Sequence, residues 1–331
     1  MKIKETTGID VSKLTLDVCI QSNKQLATFE NSYEGFEKLI KWVYKSSPHP
    51  RECVFFAFEH TGLYSEQLSI YLSRKGISYA IVPGLEIKRS LGIARGKDDK
   101  IDASRIALYA HRLRDEIKPC TAPLKEISFL KKMLSLRDRL VRQRSGYKVS
   151  LREQERLLDQ ADYQLLFRVQ RKLIKELSEQ IKEVETEMKT IVQNNMKLRH
   201  IFTLLISIKG IGKQSALCLI VYTEAFTKFN NSRQFAAYCG IAPFPNRSGT
   251  SLLRKTQVSH LANKRMKTLL DMCANSSIQH NKEISEYYQR RVSEGKNKTS
   301  TINIIRNKLI SRAFAVIQRD SPYVNLWRHA S

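Results

Sequence analysis

An α/β domain followed by long helices and a mostly helical C-terminal region is the fold class that this 331-residue sequence predicts. Three observations carry that reading. Over residues 1–118 short β-rich runs alternate with helix-like patterns. From Pro123 to about Leu198 there is one glycine, Gly146, and no further proline, which favours long helices. Beyond residue 199, glycine-bearing turns interrupt apolar segments. The expected domains are therefore 1–118, 119–198 and 199–331.

Each element of the first domain has a local reason. TTGIDV (6–11) and LTLDVCI (14–20) are rich in β-branched and apolar residues and are separated by Ser12 and Lys13, which reads as a tight hairpin. QLATFEN (25–31) supplies a third strand. EGFEKLIKWVYKS follows with Phe36, Leu39, Ile40 and Val43 at helical spacing. VFFAFEH (54–60) reads as a buried strand, YSEQLSIYLSRKG as a helix ending at Gly76, SYAIVPG as a strand and DASRIALYAHRL as a helix. Three strands, then helix, strand, helix, strand, helix is the order of the ribonuclease H fold. In the middle segment, Ile174, Leu177, Ile181, Val184, Met188 and Ile191 step by three and four, the seam of a coiled coil. That seam serves either an antiparallel hairpin or a dimerisation arm. In the last segment SIKGIGKQSA (207–216) precedes an apolar helix, and AAYCGIAPFPNRSGTS (236–251) reads as a loop.

Composition excludes several classes. No run approaches a membrane span, and the N-terminus lacks the apolar core of a secretory signal, so a cytoplasmic protein is expected. The six cysteines show no CxxC or Cys/His clustering, which argues against a zinc site or a disulfide framework and for reduced, mostly buried thiols. The net charge of +25 points to a polyanionic partner. It is unevenly spread: +4 in 1–118, +6 in 119–198 and +15 in 199–331. A basic nucleic-acid clamp joined to a less basic catalytic domain fits that gradient. Arg137, Arg139, Arg142, Arg144 and Lys148 in the middle segment either line the nucleic acid or form a solvated face.

The chemistry-bearing residues are acidic. Asp10 ends the first strand and Glu59 lies near the end of VFFAFEH, so a ribonuclease H-like sheet brings both to its centre. Asp99 and Asp102 stand three apart at the start of a helix and share a face. Four clustered carboxylates repel unless cations neutralise them, and an all-oxygen set suits Mg²⁺, with Mn²⁺ as a substitute. Such a site serves phosphoryl transfer, two metals about 4 Å apart activating the attacking oxygen and stabilising the leaving one. Taken singly, Asp99 and Asp102 are also natural first-turn residues of a helix, and Asp10 in GIDVSK also suits a phosphate-binding hairpin of an actin-like ATPase.

Taken together, these blocks resemble the insertion-sequence-110 family of DEDD transposases and the related Piv-type DNA invertases. GIDVSK (8–13), FEHTGLY (58–64) and KDDKIDA (97–103) resemble the family's three acidic blocks. SIKGIGKQSA and FAAYCGIAPFPNRSG resemble the two blocks of its C-terminal transposase domain. The resemblance implies a RuvC-like N-terminal domain in which Asp10, Glu59, Asp99 and Asp102 hold the metals. Asp98 stands where the family usually has threonine and competes with Asp99 as a ligand. It also implies a serine nucleophile, Ser248, with Ser251 as the internal competitor, and a transient serine–DNA link. Arg247 and Lys255 either steady the phosphate charge or are simply solvated basic side chains, the plainer reading. SIKGIGKQSA resembles a helix-hairpin-helix turn, with Gly210, Gly212 and Lys213 at the nucleic-acid backbone; a simple helix connection is its plainer reading.

The partners implied by the resemblance are donor and target DNA and a structured noncoding bridge RNA from the element's own ends. Nothing in the sequence resembles a base-reading module, so base pairing would carry specificity and the protein backbone contacts and chemistry. A Piv-like member would instead leave site choice to an accessory protein. A homodimer is expected, and a tetramer in the synaptic complex. Rival readings are a resolvase-like nuclease that needs the carboxylates and not Ser248, an actin-like ATPase, and a non-catalytic nucleic-acid-binding protein.

Overall fold

The computed structural model describes residues 2–90, 99–120, 124–159, 161–248 and 252–324. Two compact units result, Met1–Ala122 and Pro123–Ser331. Residue 198 does not divide the packing of the second unit. Leu130, Leu134, Met188 and Val192 share one core with Leu198, Leu217, Phe235 and Leu309, so the helical segment belongs to the second unit.

Unit 1 runs β1 (Glu5–Val11), β2 (Thr15–Ile20), β3 (Leu26–Glu30), α1 (Tyr33–Ser46), β4 (Val54–Glu59), α2 (Leu63–Arg74), β5 (Tyr79–Val82), α3 (Gly84–Ser90) and α4 (Asp99–Arg112). Its sheet has the order β3-β2-β1-β4-β5. The first three strands pair antiparallel, while β1 with β4 and β4 with β5 pair parallel. Both faces of the sheet are covered, which is why β4, VFFAFE, is apolar up to its last residue. Ile9, Leu16, Val18, Phe56 and Phe58 face Phe36, Leu39, Leu68 and Leu72 of α1 and α2. Phe55, Ala57, Ala80 and Val82 face Ile106, Tyr109 and Ala110 of α4. The expected hairpin turn is made at Ser12, whose amide donates to Thr15 O at 3.0 Å.

Unit 2 opens with α5 (Lys125–Leu157) and α6 (Gln164–Asn194). Arg137 pairs with Glu185, Arg144 with Ser178, and Gln154 with Gln170. Partners that rise in one helix as they fall in the other mean an antiparallel pair. The stripe at Ile181, Val184 and Met188 is buried within this chain, which selects the hairpin use of the apolar seam. After it come α7 (Met196–Ile206), α8 (Lys213–Tyr222), α9 (Ser232–Tyr238), β6 (Pro243–Ser248), β7 (Leu252–Val258), α10 (Lys264–His280), α11 (Lys282–Ser293) and α12 (Lys298–Arg319). Four of these helices begin on asparagine caps: Asn195, Asn231, Asn263 and Asn297 each accept a first-turn backbone N–H. Among the described residues no helix is long and apolar enough to cross a membrane. Of the six cysteines, Cys19, Cys218, Cys239 and Cys273 are buried and all six are free.

The segment read as a loop over 236–251 is in part a strand pair. β6 and β7 form a two-stranded antiparallel sheet whose register shifts between Phe244 and Asn246. The intervening residue is Pro245, which has no N–H to give to the ladder, so the pairing slips there. A two-stranded sheet consists of edges, which is where proline is tolerated.

Candidate active site

One helix of unit 1 lies close against one strand, and both carry predicted site residues. A side chain at Gly8 in β1 would place its Cβ 2.8 Å from Ala107 Cα and nearer still to Ala103 O and Ala107 N. Glycine therefore lets the α4 backbone rest on β1. Thr6 Oγ1 donates to Ala107 O at 3.1 Å. As β1 advances from residue 6 to 8, α4 recedes from 107 to 103, so the two run antiparallel. Two strand residues span about 6.6 Å and four helical residues about 6 Å, so the next step in this register sets Asp10 against the first turn of α4. That turn carries Asp99 and Asp102.

Parity places Glu59 on the same face. Gly8 is opposite Ala57 and Ile9 opposite Phe58 in the parallel ladder, and the next residues along are Asp10 and Glu59. Ala57 packs toward α4, and Glu59, two residues on, shares that face. Its carboxylate lies over Gly84 at the start of α3: a Cβ there would come within 2.8 Å of Oε2 and closer to Cδ and Oε1. Asp102 is paired with Arg105 Nη1 at 2.8 Å. α3 and α4 are tied by Tyr109 Oη donating to Glu86 Oε2 at 3.0 Å. Burial, reinforced by the Glu86 carboxylate, pushes the Tyr109 hydroxyl up to about 12, so it stays a donor.

One carboxylate was missed by sequence reasoning. Asp17 is the direct cross-strand partner of Asp10, is 8% exposed and accepts from Thr28 Oγ1 at 2.6 Å. Cys19, two residues further on, packs on Ala103 and Ala107, so Asp17 also faces α4. Like charges directly opposed on a sheet destabilise it unless neutralised. The signal was present in the polar residue within LTLDVCI, but its register against Asp10 is a tertiary fact.

The predicted metal-site residues all carry carboxylate oxygens, a ligand type that suits a hard divalent cation. Among the described residues, no group of three or more His, Cys, Asp or Glu stands in ligating geometry. Of Asp99 the structure describes the backbone alone, and Asp98 lies outside the described residues.

The C-terminal candidates lie in unit 2. Ser248 is the last residue of β6, opposite Leu252. For Arg247, Ser248 and Lys255 the backbone is described, and Ser251 lies outside the described residues. The root of this hairpin is firmly held. Asn303 Nδ2 and Asn307 Nδ2 both donate to Ile241 O, at 2.8 and 3.2 Å. Gly240, at φ +66°, faces Ala262 and Ser259 so closely that no side chain fits. In the turn between α7 and α8, Ile208 and Ile211 are buried while Lys209, Gly212 and Lys213 are exposed. Gly212 meets nothing within 4 Å, whereas Gly210, at φ +99°, faces Ser277 and Cys273 O. Gly210 thereby acquires a packing role against α10, leaving Gly212 and Lys213 as the open part of the turn. Arg137 is committed to Glu185 at 2.6 Å; Arg139 and Lys148 are exposed.

The model for DEDD transposases of the IS110 type matches residues 7–162. The model described as transposase IS116/IS110/IS902 family matches residues 202–289. The chain is 27% identical to the pilin gene-inverting protein of Moraxella bovis, over 97% of this chain and 98% of that protein. The same identity and coverage hold for the pilin gene-inverting protein of Moraxella lacunata. An uncharacterized insertion element IS110 protein of Streptomyces coelicolor is 27% identical over 36% of this chain and 29% of its own length.

Proposed function

The chain belongs to the IS110 family of transposases, and from that premise we propose that it cleaves and exchanges DNA strands by metal-dependent phosphoryl transfer through a serine–DNA intermediate. The observation that carries the reading is the close seat of α4 on Gly8, which draws the helix bearing Asp99 and Asp102 toward the strand ends bearing Asp10 and Glu59. In this reading unit 1 is ribonuclease H-like, specifically RuvC-like, and those four residues hold Mg²⁺. The bound metals would supply charge neutralisation and activation of the reacting oxygens. Asp10, Glu59, Asp99 and Asp102 orient that charge. Ser248 Oγ attacks the scissile phosphate, loses its proton, and displaces the deoxyribose oxygen, which leaves as a hydroxyl. Attack of a second strand's hydroxyl on the phosphoserine link reverses the step and exchanges the strands.

The basic second unit binds the polyanions. Lys213 and the exposed amide end of α8 at Gly212 contact a phosphate backbone, and Arg247 and Lys255 steady the reacting phosphate. A bridge RNA encoded beside the gene selects donor and target by pairing, consistent with strong positive charge and no recognisable base-reading element. A homodimer, assembled as a tetramer on two DNA duplexes, performs the exchange. Full-length similarity to proteins named for pilin gene inversion favours a second version of the same chemistry, in which both sites lie on one DNA molecule.

The test is incubation of the full chain with Mg²⁺, element-end DNA and RNA transcribed from the flanking noncoding segments, followed by denaturing gels for a covalent protein–DNA adduct. The reading expects an adduct that Asp10→Asn and Ser248→Ala each abolish. Cleavage without an adduct, undiminished in Ser248→Ala, would establish a resolvase-like nuclease instead.

A further inference from the structure

The exposed apolar side chains of unit 1 are not scattered. Among the described residues of this unit, the large hydrophobic side chains open to solvent are Leu14, Leu26, Tyr33, Leu63, Tyr64, Leu85 and Ile101. Leu26 begins β3 at the opposite end of the sheet. The other six all follow the carboxyl ends of strands or sit in the first turn of α4. Leu14 comes after β1, Tyr33 after β3, Leu63 and Tyr64 after β4, and Leu85 after β5. This is the edge at which Asp10 and Glu59 end their strands.

Hydrogen bonds join part of this edge into one surface. Asn31 donates its backbone N–H to Leu14 O at 2.8 Å, and its side-chain amide donates to Ser12 O at 2.8 Å and Tyr64 O at 3.2 Å. Leu14 is 72% exposed, Leu63 69% and Tyr64 45%. Loops that bracket an acidic centre would ordinarily be polar, and leaving several large apolar groups in water has a cost that an occupant removes. Exposed cations interleave with them: Lys13 precedes Leu14, Lys88 and Arg89 follow Leu85 by one turn, and Lys100 precedes Ile101. Apolar and aromatic surfaces alternating with cations are what a single-stranded nucleic acid requires, its bases on the former and its phosphates on the latter.

We infer that Leu14, Leu63, Tyr64, Leu85 and Ile101 form a collar around the carboxylates that receives unstacked nucleobases next to the phosphate being cut. The inference rests on the proposed metal-dependent cleavage for the identity of the strand, and adds to it a base-contacting surface that the carboxylates alone do not supply. The collar holds the strand by its bases while the carboxylate centre addresses the phosphate between them. Such contacts tolerate any sequence, because every base has a flat face.

The test compares two probes of equal charge on the full-length protein: a 20-nucleotide oligothymidylate, and the same backbone with every base removed. The triple variant Leu14→Ser/Leu63→Ser/Tyr64→Ser changes exposed side chains, and its melting temperature checks that it is folded. It is expected to bind the oligothymidylate at least about fivefold more weakly, the effect of losing one stacked base, while its affinity for the abasic strand is unchanged. Tyr64→Phe, which keeps the ring, is expected to bind both as wild type. Photocrosslinking from 4-thiothymidine in the same strand is expected to label the peptide containing Leu63 and Tyr64. Equal weakening on both probes, or none, overturns the inference. So does a variant whose sedimentation shifts while strand binding is intact, which would mark the collar as a protein-docking surface. Asp10→Asn separates the two readings: base-dependent binding that persists while cleavage is also undiminished refutes the metal centre and leaves the collar standing.

Discussion

Gly8→Ala adds one methyl group at the point where the fold and the proposed site depend on the same contact. The new Cβ would stand 2.8 Å from Ala107 Cα and closer to Ala103 O and Ala107 N, where ordinary contact begins at 3.4 Å. α4 must retreat by roughly 1 Å, since dispersion turns to repulsion inside that distance. The atoms met belong to the helix backbone, so no rotamer change relieves the overlap, and trimming Ala107 to glycine would not restore the seat. Overpacking of this kind costs about 1–3 kcal/mol, several degrees of melting temperature for a unit of this size. The effect on cleavage is expected to be larger than the effect on stability. The start of α4 moves relative to Asp10 and Glu59, and a displacement of about 1 Å in a reacting constellation costs on the order of a hundredfold in rate. Thermal unfolding by circular dichroism, and strand cleavage with Mg²⁺ at a temperature where the variant is fully folded, measure the two. A Gly8→Ala protein that melts and cleaves like wild type would refute the seating of α4 on β1 and the convergence of carboxylates derived from it.

Gly146→Ala is the control of opposite sign: it lies within α5 with nothing within 4 Å of a built Cβ, and chemical denaturation should show a gain of about 1 kcal/mol from helix propensity. Gly84→Ala displaces the flexible Glu59 carboxylate rather than backbone, so melting should change by less than about 1 kcal/mol while Mg²⁺-dependent cleavage falls; unchanged cleavage would remove Glu59 from the site. Asn303→Ala with Asn307→Ala frees Ile241 O at the root of the β6–β7 hairpin. Adduct formation should drop at least tenfold with DNA affinity held, whereas equal loss of both would assign these residues to general stability. Burial pushes the Cys239 thiol up to about 12 and Cys218 up to about 11, from an ordinary value of 9.0. The folded chain keeps protons that the unfolded chain releases between 9.0 and those values, so stability falls as pH rises through that window, by up to about 1.4 kcal/mol per unit for each thiol. Denaturation midpoints from pH 8 to 11 should fall less steeply in Cys239→Ala than in wild type.

Much of unit 1 was legible in the chain. The runs at 6–11, 14–20, 25–31 and 54–60 carry β-branched, aromatic and other apolar residues over strand lengths, and each became a strand within two residues of its expected limits. Asp10 and Glu59 could be read as strand-end carboxylates because they interrupt such runs near their close. Asp17 could not, since one polar residue inside a strand has no meaning until its neighbour across the ladder is known. The proline-bearing segment 243–248 looked like a loop because proline is rare in strands, and its pairing with 252–258 depends on residues beyond the turn. The seam from Ile174 to Ile191 announced a helical partner without naming it; the ion pair of Arg137 with Glu185 is what identifies α5 of the same chain.

By itself the sequence determined the periodicities, the caps, the charge gradient toward the C-terminus and the order of the acidic blocks, because these are properties of neighbours along the chain. The tertiary structure decided which atoms meet. Gly8 is an unremarkable residue in a strand until α4 is laid across it, and Leu14, Leu63, Tyr64, Leu85 and Ile101, distributed over 88 residues of chain, form one collar because the strands they follow end at the same edge of the sheet. Local preferences act over a turn or a strand, whereas contact between distant segments is selected by the packing of the whole unit.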